Sequence, residues 1–418
     1  MGVDWADGKH GVCAQEANCD RRESAVIPHK VELINGWAQS LAQRFGPPIA
    51  VAVGLSKGPI VYAPQKFDCF VVYPTDPPTL AKYRETYTPS GAEDDPTDAE
   101  FAVDLLSRRP DRFKPLQPQS VGVRTLASLV EQRRGLVNDK NRITNRLRPA
   151  LKRYCPQALG WFDHIDTPLS CGSIGHWPTL TPAKRARKNT LTTFFHGHDM
   201  RFPQLLEERL TAIKAATPLT MDEAVTIPYR LQAQVLIEPL RVTLQGIKQF
   251  DGEIGDVAGK HADYALSSAL PGAGLSLAPR LLVAFGEQRT RYRNAAGLQK
   301  HPGVAPVAER SGKKHWVHWR WQCPTFLRQT FAEWAAQTTD KSSWAGQYCR
   351  QRRAQGCTYQ AAARALAFKW VRTLCRCWLA GKPYNEPTYP KALGRRGPPL
   401  PKQASETSRK NWTGQLRA

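Results

Sequence analysis

The sequence has no long apolar run of the kind that crosses a bilayer, and its first residues lack the basic-then-apolar layout of a secretory signal. It also has no C-x-x-C pair, the usual beginning of a zinc site, although ten cysteines are scattered along it. We therefore expect a soluble cytoplasmic protein whose thiols are reduced, without structural disulfides and without zinc.

Acidic residues are scarce relative to basic ones. The 36 Asp and Glu against 59 Lys and Arg give a formal net charge of +23 over 418 residues. Such an excess favours a polyanionic partner, because neutralising phosphates releases their counterions. A ribosomal or membrane-surface protein would share this charge, so it indicates a class of partner and no activity. The length predicts two or three domains.

The first domain, residues 1–118, has the pattern of an α/β fold. Two of its segments are continuous valine-rich runs, which are typical of strands covered on both faces. The order of elements fits an RNase-H-like fold, although other α/β folds would tolerate it. The predicted elements are strands at 1–5, 11–17, 48–55 and 67–74 and helices around 30–45 and 58–66.

The second region, residues 119–255, is predicted to be a helical coiled-coil connector. Apolar residues recur at helical spacing up to Tyr154, and Pro156 ends the helix. A second helical stretch at 231–247 could pack against it as an antiparallel partner. The basic face of the first helix is either a solvated surface or an arm that contacts phosphates. The cations singled out for that contact are Arg133, Arg134, Arg146, Lys152 and Arg153.

Residues 256–383 are predicted to form a mainly helical, tryptophan-rich third domain. Within it, the glycine turn Leu270-Pro271-Gly272-Ala273-Gly274 precedes a helix. Such a turn either binds a phosphate through its backbone amides or joins two packed helices. Beyond Pro383 the composition is dominated by Pro, Gly, Lys and Arg, so residues 384–418 are predicted to be a disordered basic tail.

Three aspartates of the first domain are candidate metal ligands. Asp4 interrupts an apolar strand, where a carboxylate is disfavoured unless a counter-charge is near. Asp95 and Asp98 open a helix at i, i+3 and so project from one face. The alternative is a local hydrogen bond for Asp4 and ordinary helix-start chemistry for the pair. As ligands, the three could hold two Mg²⁺ ions around a scissile phosphate.

Ser311 lies in a basic segment of the third domain. A serine there is usually only a loop residue, but neighbouring cations would favour a phosphate and stabilise the charge that develops on it. Basic and aromatic residues alternate just after it, which suits stacking on nucleic acid unless the tryptophans are buried in the core. The residues of this domain singled out for nucleic-acid contact are Gly272, Gly274, Arg310, Lys313, Lys314, Trp319 and Arg320.

The first domain resembles the DEDD transposases of the Piv/MooV type, the IS one-ten insertion-sequence family now also described as bridge-RNA-guided recombinases. That family begins with a RuvC-like domain named for four acids. The resemblance implies that three of them correspond to Asp4, Asp95 and Asp98, while the expected Glu falls on Gly54. The motifs that carry it are Gly2-Val3-Asp4-Trp5-Ala6-Asp7, Ser56-Lys57-Gly58-Pro59, Gln65-Lys66-Phe67-Asp68, Leu80-Ala81-Lys82-Tyr83-Arg84 and Asp94-Asp95-Pro96-Thr97-Asp98-Ala99.

Residues 266–380 resemble the family's C-terminal transposase domain. The motifs are the glycine turn, Arg310-Ser311-Gly312-Lys313, Trp319-Arg320-Trp321-Gln322-Cys323-Pro324 and Ala365-Leu366-Ala367-Phe368-Lys369-Trp370. The resemblance implies that Ser311 is a nucleophile that forms a phosphoserine with DNA, aided by Mg²⁺. It also implies donor and target DNA as substrates, a structured guide RNA, and homodimers or homotetramers in which serine and acids come from different protomers.

Two alternatives stay open, and Gly54 bears on the first of them, because glycine offers a metal no ligand. One is a degenerate copy that binds nucleic acid without recombining it. The other is a RuvC-like junction nuclease, which hydrolyses DNA and needs no serine. Recombination through Ser311 predicts a covalent adduct, whereas the nuclease predicts a product without one.

Overall fold

The computed structural model describes residues 1–17, 19–54, 58–87, 95–292, 294–318, 320–321 and 323–388, with the backbone alone at 59, 60, 95 and 96. The chain divides into two compact units. The N-terminal unit is Met1–Pro118 and the C-terminal unit is Gln119–Ala418.

The N-terminal unit is built on a mixed sheet. In chain order its strands are β1 (Gly2–Trp5), β2 (Lys9–Gln15), β3 (Arg22–Pro28), β4 (Ile49–Val53) and β5 (Phe70–Pro74). Their order across the sheet is β3-β2-β1-β4-β5. The first three strands pair antiparallel, whereas β1, β4 and β5 are parallel. The carboxyl ends of the three parallel strands therefore lie at the same end of the sheet, where the predicted acid Asp4 lies.

Helices cover both faces of this sheet. They are α1 (Val31–Phe45), α2 (Pro59–Tyr62), α3 (Pro77–Glu85) and α4 (Asp95–Arg108). On one face, Val3 and Val51 pack with Ile34 of α1 in a common core. On the other face α4 lies directly on β1, because a Cβ on Gly2 would sit 2.0 Å from the carbonyl oxygen of Ala99. Only glycine at position 2 allows this approach.

The sequence predicted this unit except for three details, the first of which is α3, where no helix was expected. It missed β3, an edge strand of which only Ile27 is buried, so that no apolar alternation marks it. It also predicted one helix over 58–66, whereas α2 is followed by a separate 3₁₀ turn at Pro64–Lys66. Pro64 has no N–H to continue a helical hydrogen-bond ladder.

The C-terminal unit begins with helices only. They are α5 (Val121–Tyr154), α6 (Gln157–Trp161), α7 (Pro168–His176), α8 (Leu180–Arg185), α9 (Lys188–Gly197), α10 (Pro203–Ala215) and α11 (Glu223–Gly259). The two long helices, α5 and α11, pack antiparallel: Leu126 lies with Ala258, and Arg153 lies over the ring of Tyr229. The predicted antiparallel pair is confirmed. The short helices α6 to α10 share a core with α5 and α11, which includes the fully buried Phe195.

The rest of the C-terminal unit is helical with one hairpin. Its elements are α12 (Tyr264–Ser268), α13 (Gly274–Phe285), α14 (Ala295–Lys300), β6 (Val307–Ser311), β7 (Lys314–His318), α15 (Thr325–Gln337), α16 (Ser343–Ala354) and α17 (Tyr359–Ala380). Three buried tryptophans, Trp334, Trp344 and Trp370, form the centre of its core. Burial is tolerated because each indole N–H has an acceptor, as when Trp334 donates to the Pro271 carbonyl at 3.0 Å.

The first residues of the predicted tail belong to this core. The indole of Trp344 donates to the Tyr384 hydroxyl at 2.8 Å, and that hydroxyl donates to Glu386 at 2.6 Å. Glu386 also accepts from Ser342 at 2.8 Å. The remainder of the predicted tail, from residue 389, lies outside the described residues.

Two sequence-wide features complete the fold. No helix among the described residues is both long enough and apolar enough to span a bilayer. All ten cysteines are free thiols, five of them buried. Burial raises the pKa of Cys171 to about 11, so this thiol stays protonated at neutral pH.

Candidate active site

The strand register places Asp4 beside Gly54. Val3 of β1 pairs with Val53 of β4 in the parallel ladder, so Asp4 and Gly54, the next residues along the two strands, are neighbours. Both point to the face that α4 covers, because Gly2 and Ala52 do and side chains alternate. A Cβ on Gly54 would meet nothing within 4 Å among the described residues, and its φ is not left-handed. Among the described residues, none therefore obstructs a Cβ at position 54.

Helix α4 brings Asp98 to the same end of the sheet. Glu100 accepts from Ser24 at 3.0 Å and Asp104 accepts from Arg22 at 2.5 Å. Ser24 is level with Gly2, and Arg22 lies beyond the other end of β1. One more helical turn toward the N-terminus of α4 therefore reaches the level of Asp4, and Asp98 lies on that turn. Asp95 begins the helix, but its side chain lies outside the described residues.

Asp98 has a buried cation as its partner. Its Oδ2 accepts from an Arg84 Nη at 2.7 Å, and the two side chains are only 13% and 10% exposed. Arg84 comes from α3, which packs beside α4. A carboxylate so removed from water stays charged only with such compensation. Sequence reasoning noticed Arg84 only as part of a motif, because no spacing rule links residues 84 and 98.

A second buried aspartate of α4 has a different role. Asp104 accepts hydrogen bonds from Tyr83 and Arg22 and pairs with Arg108 at 2.9 Å. Burial alone would raise the pKa of Asp104, but these three donors outweigh it and hold the pKa below its ordinary value. Protein groups thus satisfy Asp104, which joins α3, α4 and β3.

The acids at the sheet end are the right type of ligand for a divalent cation, but there are few of them. Carboxylate oxygens are the ligands that Mg²⁺ and similar ions take, which Asp4 and Asp98 supply. Gly54 supplies none. Among the side chains that the structure describes, no group of three His, Cys, Asp or Glu could hold a metal ion. With Asp95 added, the set would reach three carboxylates.

Ser311 lies at the end of the β6–β7 hairpin. The turn is Gly312-Lys313, and Gly312 has φ +57°. Positive φ at the first turn position alone is typical of a II′ turn, for which glycine is preferred. Ser311 pairs with Lys314 across the ladder, so their side chains share one face, while Arg310 and its partner His315 lie on the other. All of these residues are exposed, so a ligand as large as a DNA backbone can reach the serine.

One acid organises the serine's face of the hairpin. Glu309 accepts from the Trp316 indole at 2.9 Å and from His318 at 2.6 Å. The hydrogen bond from His318 holds the pKa of Glu309 below its ordinary value. Trp316 is 43% exposed and Trp321 is 76% exposed, so these two tryptophans are not core residues. Trp319 lies outside the described residues, and Arg320 is half-buried.

The glycine turn is explained largely by packing. Gly272 has φ +70°, and a Cβ there would lie 2.9 Å from the Gln337 carbonyl oxygen on α15. The Pro271 carbonyl accepts from Trp334 on the same helix. Gly274, at the beginning of α13, has φ +52° and no neighbour within 4 Å among the described residues. Packing therefore accounts for Gly272, and only Gly274 is open to a ligand.

The basic face of α5 is partly neutralised. Arg133 donates to Asp251 of α11 at 2.5 Å, and Arg134 lies 3.2 Å from Glu333 of α15. Both therefore join helices. The other three predicted cations, Arg146, Lys152 and Arg153, are exposed.

Two family models match this chain. A DEDD transposase model of the IS110 type, described as a transposase, matches residues 1–156. A model described as the transposase IS116/IS110/IS902 family matches residues 265–350. Together they cover more than half of the chain, including Asp4, Asp98 and Ser311. The chain belongs to this family of insertion-sequence transposases, as the sequence motifs indicated.

Two Streptomyces proteins are similar over most of their length. The "Mini-circle putative transposase for IS117" of Streptomyces coelicolor is 27% identical over 395 residues, which are 92% of this chain and 95% of that protein. The "Insertion element IS116 uncharacterized 44.8 kDa protein" of Streptomyces clavuligerus is 24% identical over 330 residues, or 75% of this chain and 77% of that protein. Membership of the family implies DNA as substrate and suggests dependence on a divalent metal.

Proposed function

We propose that this chain is an insertion-sequence transposase that cuts and rejoins DNA through a covalent bond to Ser311. The observation that carries the proposal is the exposure of Ser311 on a basic hairpin inside residues 265–350, which the transposase family model matches. We assign residues 1–118 as a RuvC-like domain, 119–255 as a connector and 256–383 as the transposase domain. The mixed sheet with parallel β1, β4 and β5 supports the first assignment.

In the proposed chemistry, Ser311 exchanges one phosphodiester bond of the DNA for a phosphodiester bond to its own Oγ. Its hydroxyl loses a proton as Oγ bonds to the phosphorus, and the bond from phosphorus to one deoxyribose oxygen breaks. That oxygen takes up a proton and leaves as a hydroxyl. Lys314, across the ladder from Ser311, offsets charge on the phosphate, as does Lys313 in the turn. Attack by the hydroxyl of an exchanged strand reverses the step and reseals the DNA.

The N-terminal unit supplies the acids in this proposal. Asp4, Asp95 and Asp98 would hold Mg²⁺, which supplies Lewis-acid stabilisation of phosphate oxygens. Arg84 keeps Asp98 charged and oriented within a buried setting. The rigid register of β1 fixes Asp4. These side chains are preorganised before the substrate binds, so that no reorganisation is needed to stabilise the transition state.

Nucleic-acid binding is proposed for the exposed cations. Arg146, Lys152 and Arg153 of α5 are exposed and carry charge that no carboxylate among the described residues neutralises. Arg310 adds to this charge on the hairpin. We propose that they bind backbone phosphates, and that a structured RNA of the element selects donor and target DNA by base pairing. The working form would be a homodimer or homotetramer.

A recombination assay tests the proposal. A donor–target DNA pair with the cognate RNA is incubated with the wild type, Ser311→Ala or Ser268→Ala, the last being an exposed serine elsewhere in the C-terminal unit. Recombinant product should disappear with Ser311→Ala and persist with Ser268→Ala. Equal product from wild type and Ser311→Ala would contradict the covalent mechanism. Cleaved DNA without joined product would instead support a junction nuclease.

Gly54 favours a second candidate function, a copy that binds nucleic acid without recombining it. The residue lies beside Asp4 at the position where the resemblance places a Glu. In that case the wild type would bind DNA and RNA but give no product in the same assay. Wild-type recombination would exclude this candidate.

A further inference from the structure

Two cations lie together between α16 and α17 in the C-terminal unit. The Lys369 Nζ is 4.2 Å from the centroid of the Tyr348 ring, and Arg352 lies one helical turn beyond Tyr348 on α16. All three side chains are half-buried. Burial, together with the charge of Arg352, lowers the pKa of Lys369. The positive charges of Arg352 and Lys369 therefore lie near each other in a region that is partly shielded from water.

The chain gives this pair no acid. Among the described residues, neither Arg352 nor Lys369 forms an ion pair with a carboxylate. Arg352 donates one Nη to the side-chain oxygen of Gln355 at 3.1 Å, whereas its buried Nε has no hydrogen-bond partner. An unsatisfied donor on a charged group is costly where water is excluded.

Other buried cations of this protein are treated differently. Arg280, in the same unit, lies 2.7 Å from Glu333, and Arg84 lies 2.7 Å from Asp98. In these two cases the chain itself provides the counter-charge. A like-charged, half-buried pair without one is expected where an external anion supplies it.

We propose that Tyr348, Arg352 and Lys369 form a binding site for a backbone phosphate of nucleic acid. The guanidinium of Arg352 offers directed N–H donors, and the ammonium of Lys369 offers a point charge. The hydroxyl of Tyr348 is a further donor, and together these groups suit the oxygens of a phosphate. The site lies outside the hairpin and the cations considered above. The proposal rests on the proposed function only for the source of the phosphate.

The test is a binding titration with the full chain carrying Ser311→Ala, so that no strand is cut. Fluorescent DNA and RNA duplexes of the same sequence are titrated at several salt concentrations. Lys369→Met keeps the apolar stem and removes the charge, and Arg376→Met is the control, an exposed cation on the same helix. Lys369→Met should weaken binding roughly ten-fold. It should also reduce the slope of log affinity against log salt by about one.

The duplex that responds identifies the source of the phosphate. Arg352→Gln, on the partner helix, should reproduce the loss, and Lys369→Arg should retain binding. Equal effects of Lys369→Met and Arg376→Met on both duplexes would overturn the site. So would a loss seen with only one of Lys369→Met and Arg352→Gln. Because no recombination is measured, that failure would leave the role of Ser311 untouched, and failure of Ser311 would leave this binding measurable.

Discussion

The two units present their candidate catalytic groups in opposite ways. In the N-terminal unit, Asp98 of α4 is 13% exposed and paired with Arg84 of α3. In the C-terminal unit, Ser311 stands exposed on a hairpin with Lys314 beside it. Buried acids gain electrostatic strength from low hydration, whereas a nucleophile must reach a phosphate inside a bulky duplex. The buried candidate acids are thus in one unit and the accessible candidate nucleophile is in the other.

The units also differ in completeness. The hairpin has its serine and its cations, while the sheet end has glycine where a fourth acid is expected. Among the described residues, nothing lies within 4 Å of a Cβ built on Gly54. We therefore expect the sheet end to limit the rate of recombination. The following changes test that difference, beginning with the largest expected effect.

Asp4→Asn should lower recombination by about 10²–10³-fold, since it removes one charge of a preorganised electrostatic site. Fold stability should change little, because the side chain keeps its size at a strand end. Recombination is measured on the donor–target pair, and stability by urea unfolding. Unchanged recombination would remove Asp4 from the site.

Asp104→Asn is the matched control in the same unit. It leaves Arg22 and Arg108, which are 32% and 65% exposed, without their shared carboxylate, so we expect a loss of roughly 1.5–3 kcal/mol of stability. The metal dependence of the remaining folded enzyme should not change. A shift in that dependence would mean that Asp104, and not only Asp98, belongs to the site.

Acid should weaken the C-terminal unit through His301. Burial lowers the pKa of His301 from 6.5 to about 4. Between pH 6.5 and 4 the unfolded chain therefore binds a proton at His301 that the folded chain does not bind. This contribution to stability is fully present above pH 6.5 and is lost as the pH falls toward 4. The loss of stability at pH 4 is roughly 3 kcal/mol, because each ten-fold difference in proton affinity between the two states is worth about 1.4 kcal/mol.

Unfolding free energies between pH 4 and 7 measure this effect. His301→Gln should flatten the profile in that window. His10→Gln is the comparison in the N-terminal unit, where burial and His29 also lower the pKa of His10. A His301→Gln profile as steep as that of the wild type would contradict the assignment.

Gly54→Glu should raise recombination by roughly ten-fold, because it restores a carboxylate next to Asp4. The backbone at position 54 is not left-handed, and a Cβ there meets none of the described residues within 4 Å, so the substitution strains neither. Gly54→Gln, of the same shape but neutral, should give no gain. An already active enzyme that gains nothing from Gly54→Glu would show that the site does not need the fourth acid.

Local pattern made much of the fold predictable. Valine-rich runs marked β4 and β5, and apolar spacing marked α5 up to Tyr154, because burial of one face requires that periodicity. The edge strand β3 escaped, since its residues are mostly exposed. Tyr384 and Glu386 also escaped, because a Pro- and Lys-rich composition hides two residues that pack into the core.

The site was less predictable than the fold. Motif resemblance and spacing indicated Asp4, Asp98 and Ser311, but not the Arg84–Asp98 pair, which depends on how α3 meets α4. Nor did a basic pattern separate Arg133, neutralised by Asp251, from the exposed Arg146. Such distinctions are tertiary: they depend on which acid the fold brings to each cation.

The central claim is a covalent bond between Ser311 and DNA. The most direct measurement is mass spectrometry of peptides after reaction with a donor DNA nicked beside the cleavage site, so that the leaving strand is lost and resealing is prevented. A covalent mechanism predicts a nucleotide adduct on the peptide that contains Ser311, and no adduct with Ser311→Ala. Cleaved DNA with no adduct on any serine would contradict it.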